Sequence, residues 1–211
     1  MTGFFLCLPL IYLHSGDGKS KVAPLQADVA AARQHLHEEL RDDSVWRPAD
    51  REAEARLLRL IATAGEIRAV AVAPVLARNI AYDRMPRGLT DTDSRYPAYR
   101  ALRLLGIEAI NPILVELKAF DVPAEAPITK KFSDAKSREE LQKIEEQRLA
   151  EAARLQAELR RELLVYCLIA IYDAGGFGRE LARQRIELEA GKAAGKERER
   201  LTRALTESFP K

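Results

Sequence analysis

Hydrophobic residues recur every three or four positions along most of the chain, a spacing that predicts amphipathic helices. A first helix is predicted over residues 24–41. A second is predicted over residues 48–64, with Pro48 in its first turn and Gly65 as its C-cap. No stretch alternates apolar and polar residues as a half-buried strand would. The pattern therefore predicts an all-α protein.

The middle of the chain contains two interruptions of this pattern. The third helix is predicted over residues 66–81, where Pro74 either kinks the helix or marks its true start after a short turn. Residues 83–97 are rich in turn-forming residues and are predicted to form a loop. A second helix pair is predicted to follow, over residues 97–105 and 107–120.

One long helix is predicted over residues 133–172, which contain neither proline nor glycine. Its first half is charge-rich and is predicted to be partly exposed. Its apolar second half, residues 163–172, is predicted to begin a third, degenerate repeat. A GGFG turn then leads to a return helix over residues 179–189, and a polar helix over residues 196–208 is predicted to cap the domain. The stripe predicted for one face of the long helix is Leu141, Ile144, Ala152, Leu155, Leu159, Leu163, Tyr166 and Ala170.

The chain contains an internal repeat. The segment PVLARNIAYD at residues 74–83 matches PILVELKAFD at residues 112–121, which is 38 residues further on. Upstream of each, RLLRLI at residues 56–61 matches RALRLL at residues 100–105, 44 residues further on. A period of about 40 residues made of two helices is typical of an α-solenoid of antiparallel helix pairs.

The alignment of the two copies also predicts core positions. Leu104 takes the place of Leu60, and Leu114 takes the place of Leu76. All four are predicted to be buried, and truncating Leu104 or Leu114 to alanine is predicted to cost about 2–5 kcal/mol.

The second copy resembles the HEAT repeat family in its short, PBS-lyase-like form. That pattern consists of a first helix ending in Ala-Leu-x-x-Leu-Gly, a short turn, Pro-x-Leu, and a second helix ending in Asp. Residues 101–106 and 112–121 are similar to it throughout, and residues 57–83 fit it with an insertion.

This resemblance implies a single HEAT-like domain over residues 21–211. It implies two clear repeats, at about residues 48–83 and 97–121, and a degenerate third that ends near residue 190. The long helix at about residues 133–172 leads into that third repeat.

The resemblance implies a non-catalytic module for protein–protein interaction or scaffolding, with its concave face lined by the second helices of the repeats. The alternative is an accessory HEAT domain that acts with a catalytic partner, such as a lyase or a cofactor-bearing enzyme. Co-purification with such an enzyme would favour the alternative. The sequence does not name the protein partner, because such repeats serve many unrelated proteins.

The charge distribution argues against a nucleic-acid partner. The net charge is +2, and the positive and negative residues are evenly mixed. A nucleic-acid-binding protein is expected to carry a basic excess on one element. Solvated helix faces explain the pattern better.

An apolar run at residues 4–13 is too short to cross a bilayer, so no membrane span is predicted. Residues 1–20 could form a secretory signal of suitable length, although no Lys or Arg precedes the run. An apolar strand or helix stub docked on the domain fits equally well. Both an exported location, periplasmic or extracytoplasmic, and a cytoplasmic one therefore stay open.

No catalytic, cofactor-binding or metal site is predicted. The GKS at residues 18–20 lacks the first glycine of a phosphate-binding loop. His35 and His37 are two residues apart and so point away from each other on a helix. Asp91 begins a motif that lacks the glycine and glutamate of a calcium loop, and a capped polar loop is predicted instead. Cys167 lies in an apolar stretch and is predicted to be a buried core thiol.

The residues proposed for partner binding lie in the loop at residues 83–97. They are Arg84, Arg87, Arg95 and Tyr96. They combine positive charge with an aromatic ring, a mixture enriched at binding hot spots, and loops on a rigid scaffold often carry function. The alternative is a merely solvated loop.

Overall fold

A computed structural model describes residues 22–83, 91–121, 123 and 137–210. All regular structure in these residues is helical, which confirms the predicted all-α class. The α-helices are α1 (Val22–Arg41), α2 (Arg51–Glu66), α3 (Ala73–Arg78), α4 (Thr92–Arg95), α5 (Pro97–Leu105), α6 (Ile110–Ala119), α7 (Arg138–Ala174), α8 (Gly178–Lys192) and α9 (Gly195–Ser208). Short 3-10 turns lie at Asp43–Trp46, Val70–Val72 and Gly106–Ala109.

Helix α2 begins at Arg51 rather than at Pro48. Asp50 is its N-cap, and the Asp50 carboxylate accepts a hydrogen bond from the Ala53 amide at 2.8 Å. Such a cap supplies a partner to an amide that has none within the helix. Pro48 therefore lies in the connection before the helix and not in its first turn.

Gly65 lies inside α2 and is not its C-cap, so that prediction is wrong. The helix continues to Glu66, and Ile67 is the C-cap. A Cβ atom at Gly65 would lie 3.0 Å from Leu104 Cδ1 and 3.1 Å from Ala101 Cα. The glycine therefore permits α2 and α5 to approach each other closely.

The structure decides between the two alternatives for Pro74. Helix α3 begins at Ala73, after the Val70–Val72 turn, and Pro74 lies in its first turn. Proline is accepted there because the first amides of a helix have no partner within it. The third helix is consequently shorter than the predicted 66–81.

The later helices lie close to their predicted positions. Helices α5 and α6 match the predicted pair, and α7 matches the predicted long helix. Between α7 and α8, Gly176 and Gly178 adopt φ angles of 80° and 67°, which glycine adopts readily. The predicted glycine turn is therefore confirmed.

The helices pack in two connected series. Helix α5 packs against both α2 and α7, while α6 packs against both α3 and α9. Helix α1 lies against α2 and the Val70–Val72 turn, where Arg33 donates two hydrogen bonds to the Ile67 carbonyl at 2.9 and 2.7 Å. The largest fully buried side chains between the helices are Leu40, Leu57, Ile61, Leu76, Ile80, Leu102, Leu105, Ile113, Leu164, Leu168, Ile186 and Leu201.

The two predicted core leucines have different environments. Leu114 is buried, as predicted, and so is its counterpart Leu76. Leu104 is 42% exposed, so its predicted burial is wrong. The inward face of α5 carries Leu102 and Leu105 instead, which places Leu104 beside the core rather than in it.

The stripe predicted for α7 is only partly correct. Leu163 is buried, but Leu141, Leu155 and Tyr166 are exposed. The hydrophobic core includes α7 only from Leu159 onward. The charge-rich first half is mostly exposed, as predicted.

The last two helices pack differently from what a third copy of the repeat would predict. Helix α9 packs more extensively on α6 than α8 does. Helix α8 contacts α6 through side chains: Lys118 Nζ lies 2.7 Å from Glu189 Oε2, and Arg185 Nη2 lies 3.4 Å from Asn111 Oδ1. The terminal helix predicted as a cap thus covers α6.

The predicted leader, residues 1–20, lies outside the described residues. Among the helices of the described part, none has both the length and the apolarity needed to cross a membrane.

Candidate functional site

The predicted partner loop is described only in part. Arg84 and Arg87 lie outside the described residues. The Arg95 guanidinium donates hydrogen bonds to both carboxylate oxygens of Asp83, at distances from 2.7 to 3.1 Å. Tyr96 is only 6% exposed, and its ring centroid lies 5.2 Å from the Arg95 guanidinium carbon. Tyr96 is therefore part of the core and not the exposed aromatic that the sequence suggested, while binding through this loop stays a prediction.

Each of the aspartates that end the two repeat segments pairs with an arginine. Asp83 binds Arg95, and Asp121 accepts a hydrogen bond from Arg200 Nη2 at 3.1 Å. Arg200 also donates to the Lys118 carbonyl at 3.1 Å. In both copies an arginine from a later helix thus binds the end of the repeat segment.

A groove lies where the ends of α3 and α6 meet α7, and we call it the aromatic–arginine groove. Its volume is about 570 Å³, which lies within the range of protein ligand sites. Its lining consists of Trp46, Arg47, Arg78, Asn79, Ala81, Tyr82, Phe120, Asp121, Pro123, Ala153, Gln156, Ala157 and Arg160.

Three aromatic side chains contribute to this groove. Tyr82 and Phe120 hold the ninth place of the two matched repeat segments, and the fold brings both to one groove. Trp46 packs edge-on against Tyr82, with 5.8 Å between ring centroids, and its indole N–H donates to the Leu40 carbonyl at 2.9 Å. The rings are therefore held by the scaffold before any ligand arrives.

Three arginines give the groove its charge. The Arg160 guanidinium lies 4.3 Å from the Phe120 ring centroid and forms an ion pair with Glu116. Arg47 and Arg78 are exposed and have no ion pair within the described residues. Asp121 is the one carboxylate of the lining, and it is bound to Arg200. The groove thus has an excess of positive charge.

Arg160 and Tyr82 of the groove have shifted pKa values. Burial lowers the pKa of Arg160, the Glu116 carboxylate raises it, and the nearby positive charge of Arg78 lowers it. The guanidinium remains protonated because its ordinary pKa lies far above 7. Burial, with a smaller contribution from Glu54, raises the pKa of Tyr82, so its phenol remains neutral. The groove therefore offers stable cations beside aromatic faces, a combination suited to carboxylate-bearing ligands.

The other candidate side chains have structural surroundings. Cys167 is fully buried, with its Sγ 3.9 Å from the Tyr99 carbonyl oxygen, and burial raises the pKa of its thiol. This confirms the predicted core thiol. The Asp91 carboxylate accepts hydrogen bonds from the amides of Asp93 and Ser94, which confirms the capped loop. Within the residues that the structure describes, no cluster of three or more His, Cys, Asp or Glu could hold a metal ion.

The sequence analysis did not predict this groove. Arg160 and Trp46 are distant from each other in sequence, and neither belongs to a recognisable motif. One signal was available: both repeat segments carry an aromatic residue at the ninth place. Placing those two positions in one groove required the packing of α3 against α6, which a single sequence does not define.

Comparisons of the chain with protein-family models, with curated proteins and with solved structures gave no match. The function of the chain is therefore proposed from the side chains of the groove and from the packing of the helices.

Proposed function

We propose that this chain is a non-catalytic protein-binding module, built as a HEAT-like α-solenoid, that binds an acidic peptide segment of a partner in the aromatic–arginine groove. The observation that carries the proposal is the convergence of Tyr82 and Phe120 with arginines that exceed the carboxylates of the lining.

The packing of equivalent helices supports the solenoid arrangement. The first helices of the two repeats, α2 and α5, pack on each other, and so do the second helices, α3 and α6. Stacking of equivalent elements is what defines a repeat protein, because each unit buries its apolar face against its neighbour. The aspartates at the ends of the two repeat segments, Asp83 and Asp121, also share the feature of pairing with an arginine.

The composition of the groove supports a protein ligand. Arginine and large aromatic residues are enriched at binding hot spots, and the rings of Trp46 and Tyr82 are already fixed by packing. A ring that is fixed before binding loses little conformational freedom when the partner arrives. Concave surfaces of repeat proteins are common binding sites for extended segments.

Charge complementarity defines the partner as acidic. Arg47 and Arg78 lack partners in the described part of the chain, and a carboxylate from a ligand would supply one. Arginine binds carboxylates through paired, charge-assisted hydrogen bonds. A phenylalanine or tyrosine side chain in such a peptide would pack against Tyr82 and Phe120, which are both partly exposed.

The proposal is tested by fluorescence polarisation with a labelled acidic peptide that carries a central phenylalanine. We expect saturable binding, and we expect the same peptide with lysines in place of its glutamates not to bind. The double variant Arg47→Glu and Arg78→Glu should weaken binding at least tenfold, about 1.4 kcal/mol. Both side chains are exposed, so the variant should fold normally.

A double variant with the same change in net charge provides the control. Arg59→Glu with Arg100→Glu alters two exposed arginines that do not line the groove, and it should bind within about twofold of the parent chain. Equal weakening by both double variants would indicate a general charge effect and would contradict the groove. Tighter binding of a single-stranded oligonucleotide than of the acidic peptide would also contradict the proposal, since basic aromatic grooves also suit nucleic acids.

A further inference from the structure

A second, smaller pocket shares two lining residues, Phe120 and Asp121, with the aromatic–arginine groove. Its volume is about 100 Å³. The remaining lining residues come from α7 and α9: Arg161, Lys196, Glu199, Arg200 and Arg203. The pocket is too small for a peptide chain but has the scale of a compact anion.

Arg161 is an unusual component of this pocket. The residue is only 8% exposed, and its Nη2 forms an ion pair with the Glu207 carboxylate. Its Nη1 is buried and has no hydrogen-bond partner, and the same is true of Arg200 Nε. Buried donors without partners are costly, so an anion at this point would gain from donors that the protein leaves unused.

The charges around the pocket do not cancel. Asp121 is bound to Arg200, and Glu207 is bound to Arg161. Lys196 and Arg203 have no ion pair in the described residues, and Glu199 is the one remaining carboxylate of the lining. One positive charge therefore remains when the lining residues and Glu207 are counted. Burial lowers the pKa of Arg161, Glu158 raises it, the nearby positive charge of Arg203 lowers it, and Glu162 raises it.

The start of α9 adds a second source of positive potential. Lys196 belongs to the first turn of this 14-residue helix, and Glu199 lies at the start of the next turn. No side chain caps its first amides, because the N-cap residue is Ala194. Free amides and the helix dipole favour an anion at such a terminus.

We infer that this pocket binds a phosphate group, either as free phosphate or as a phosphate monoester on a ligand. Lys196 and Arg203 supply the excess positive charge and the accessible donors, and Arg161 adds the buried Nη1 donor that has no partner. Guanidinium and ammonium groups in this combination suit the several acceptor oxygens of a phosphate. The inference does not rest on peptide binding in the aromatic–arginine groove.

Isothermal titration with inorganic phosphate, at constant ionic strength and with the full chain, tests the inference. We expect saturable binding of phosphate, with chloride giving no saturable signal. Phosphoserine provides a second arm: binding as tight as that of phosphate assigns the pocket to monoesters, and much weaker binding assigns it to the free ion.

Variants on α9 locate the binding. Lys196→Ala with Arg203→Ala should weaken phosphate binding at least tenfold, and both changes spare the buried Arg161. Arg198→Ala on the same helix is the control, because Arg198 lines the adjoining pocket but not this one, and it should bind phosphate within about twofold of the parent chain. Absence of saturable binding of both phosphate and phosphoserine would overturn the inference. Binding that the double variant leaves unchanged would overturn it as well.

Discussion

The two halves of α7 belong to one continuous helix, yet they have different surroundings. In the second half, Leu164 and Leu168 are fully buried among α5, α6, α8 and α9. In the first half, Leu149 and Leu155 are 66% and 52% exposed, and Ile144 is the exception. Both halves carry apolar residues at helical spacing. Periodicity therefore indicates which residues share a face, whereas burial depends on whether another helix reaches that face.

The largest expected effect comes from truncating equivalent leucines in the two halves. Leu168→Ala should lower the free energy of unfolding by about 2–5 kcal/mol, because it leaves a cavity in a packed core. Leu149→Ala should change the unfolding free energy by less than about 0.5 kcal/mol, since its side chain is mostly in solvent. Urea denaturation of both variants measures the difference. Equal losses would mean that the first half of α7 is packed as tightly as the second.

Replacing two glycines by alanine should change the stability of the protein by smaller amounts, and the two changes should have opposite signs. Gly65→Ala should destabilise the protein by about 1–3 kcal/mol, because the new methyl group would meet Leu104 and Ala101 at 3.0 and 3.1 Å. Gly191→Ala in α8 should stabilise it by about 0.5–1 kcal/mol, because nothing lies within 4 Å of the new atom and alanine favours helix. Thermal unfolding of the two variants gives both signs. A stabilising Gly65→Ala would show that α2 and α5 are not in close contact.

The smallest effect concerns ion pairs and pH. A hydrogen bond from Lys118 lowers the pKa of Glu189, and this bond joins α6 to α8. A carboxylate with a lowered pKa stabilises the folded state above its unfolded pKa, and the contribution is lost as the pH falls through the folded value. Glu189→Gln should therefore reduce stability by about 1 kcal/mol or less at pH 7 and should have a smaller effect in acid.

Glu151 in the first half of α7 is the matched comparison for Glu189. A hydrogen bond from Arg154 lowers its pKa too, but both residues lie on the same helix. Glu151→Gln should reduce global stability less than Glu189→Gln does. Unfolding curves at pH 7 and pH 4 decide this, and a larger loss for Glu151→Gln would contradict the view that α7 is packed only in its second half.

The elements of the fold could be predicted from the sequence better than their contacts could. Periodicity and turn residues located the long helix and the glycine turn after it. The burial of Leu104 was predicted wrongly because its counterpart in the repeat, Leu60, is itself only partly buried. Alignment of the two copies shows which positions correspond but not which of them face the core. Gly65 was taken for a cap because a glycine that ends a helix and one that permits close packing look alike in sequence.

The candidate site was harder to predict from the sequence than the helices were, because its residues come together only in the tertiary structure. The repeat predicted that Tyr82 and Phe120 are equivalent, but not that they line one groove with Trp46 and Arg160. Those residues come from a 3-10 turn and from the middle of α7, far apart in the chain. Tyr96 was proposed for partner binding because it lies in a polar loop, and its burial could not be read from that position in the sequence.

The most direct test of the proposed function uses the single tryptophan of the chain, because Trp46 lines the aromatic–arginine groove. Titration with the acidic phenylalanine-bearing peptide should change Trp46 emission in a saturable manner, with the same dissociation constant as fluorescence polarisation. The change should be lost in the Arg47→Glu, Arg78→Glu double variant and kept in the Arg59→Glu, Arg100→Glu control. Peptide binding that leaves Trp46 emission unchanged, or no peptide binding at all, would contradict the account.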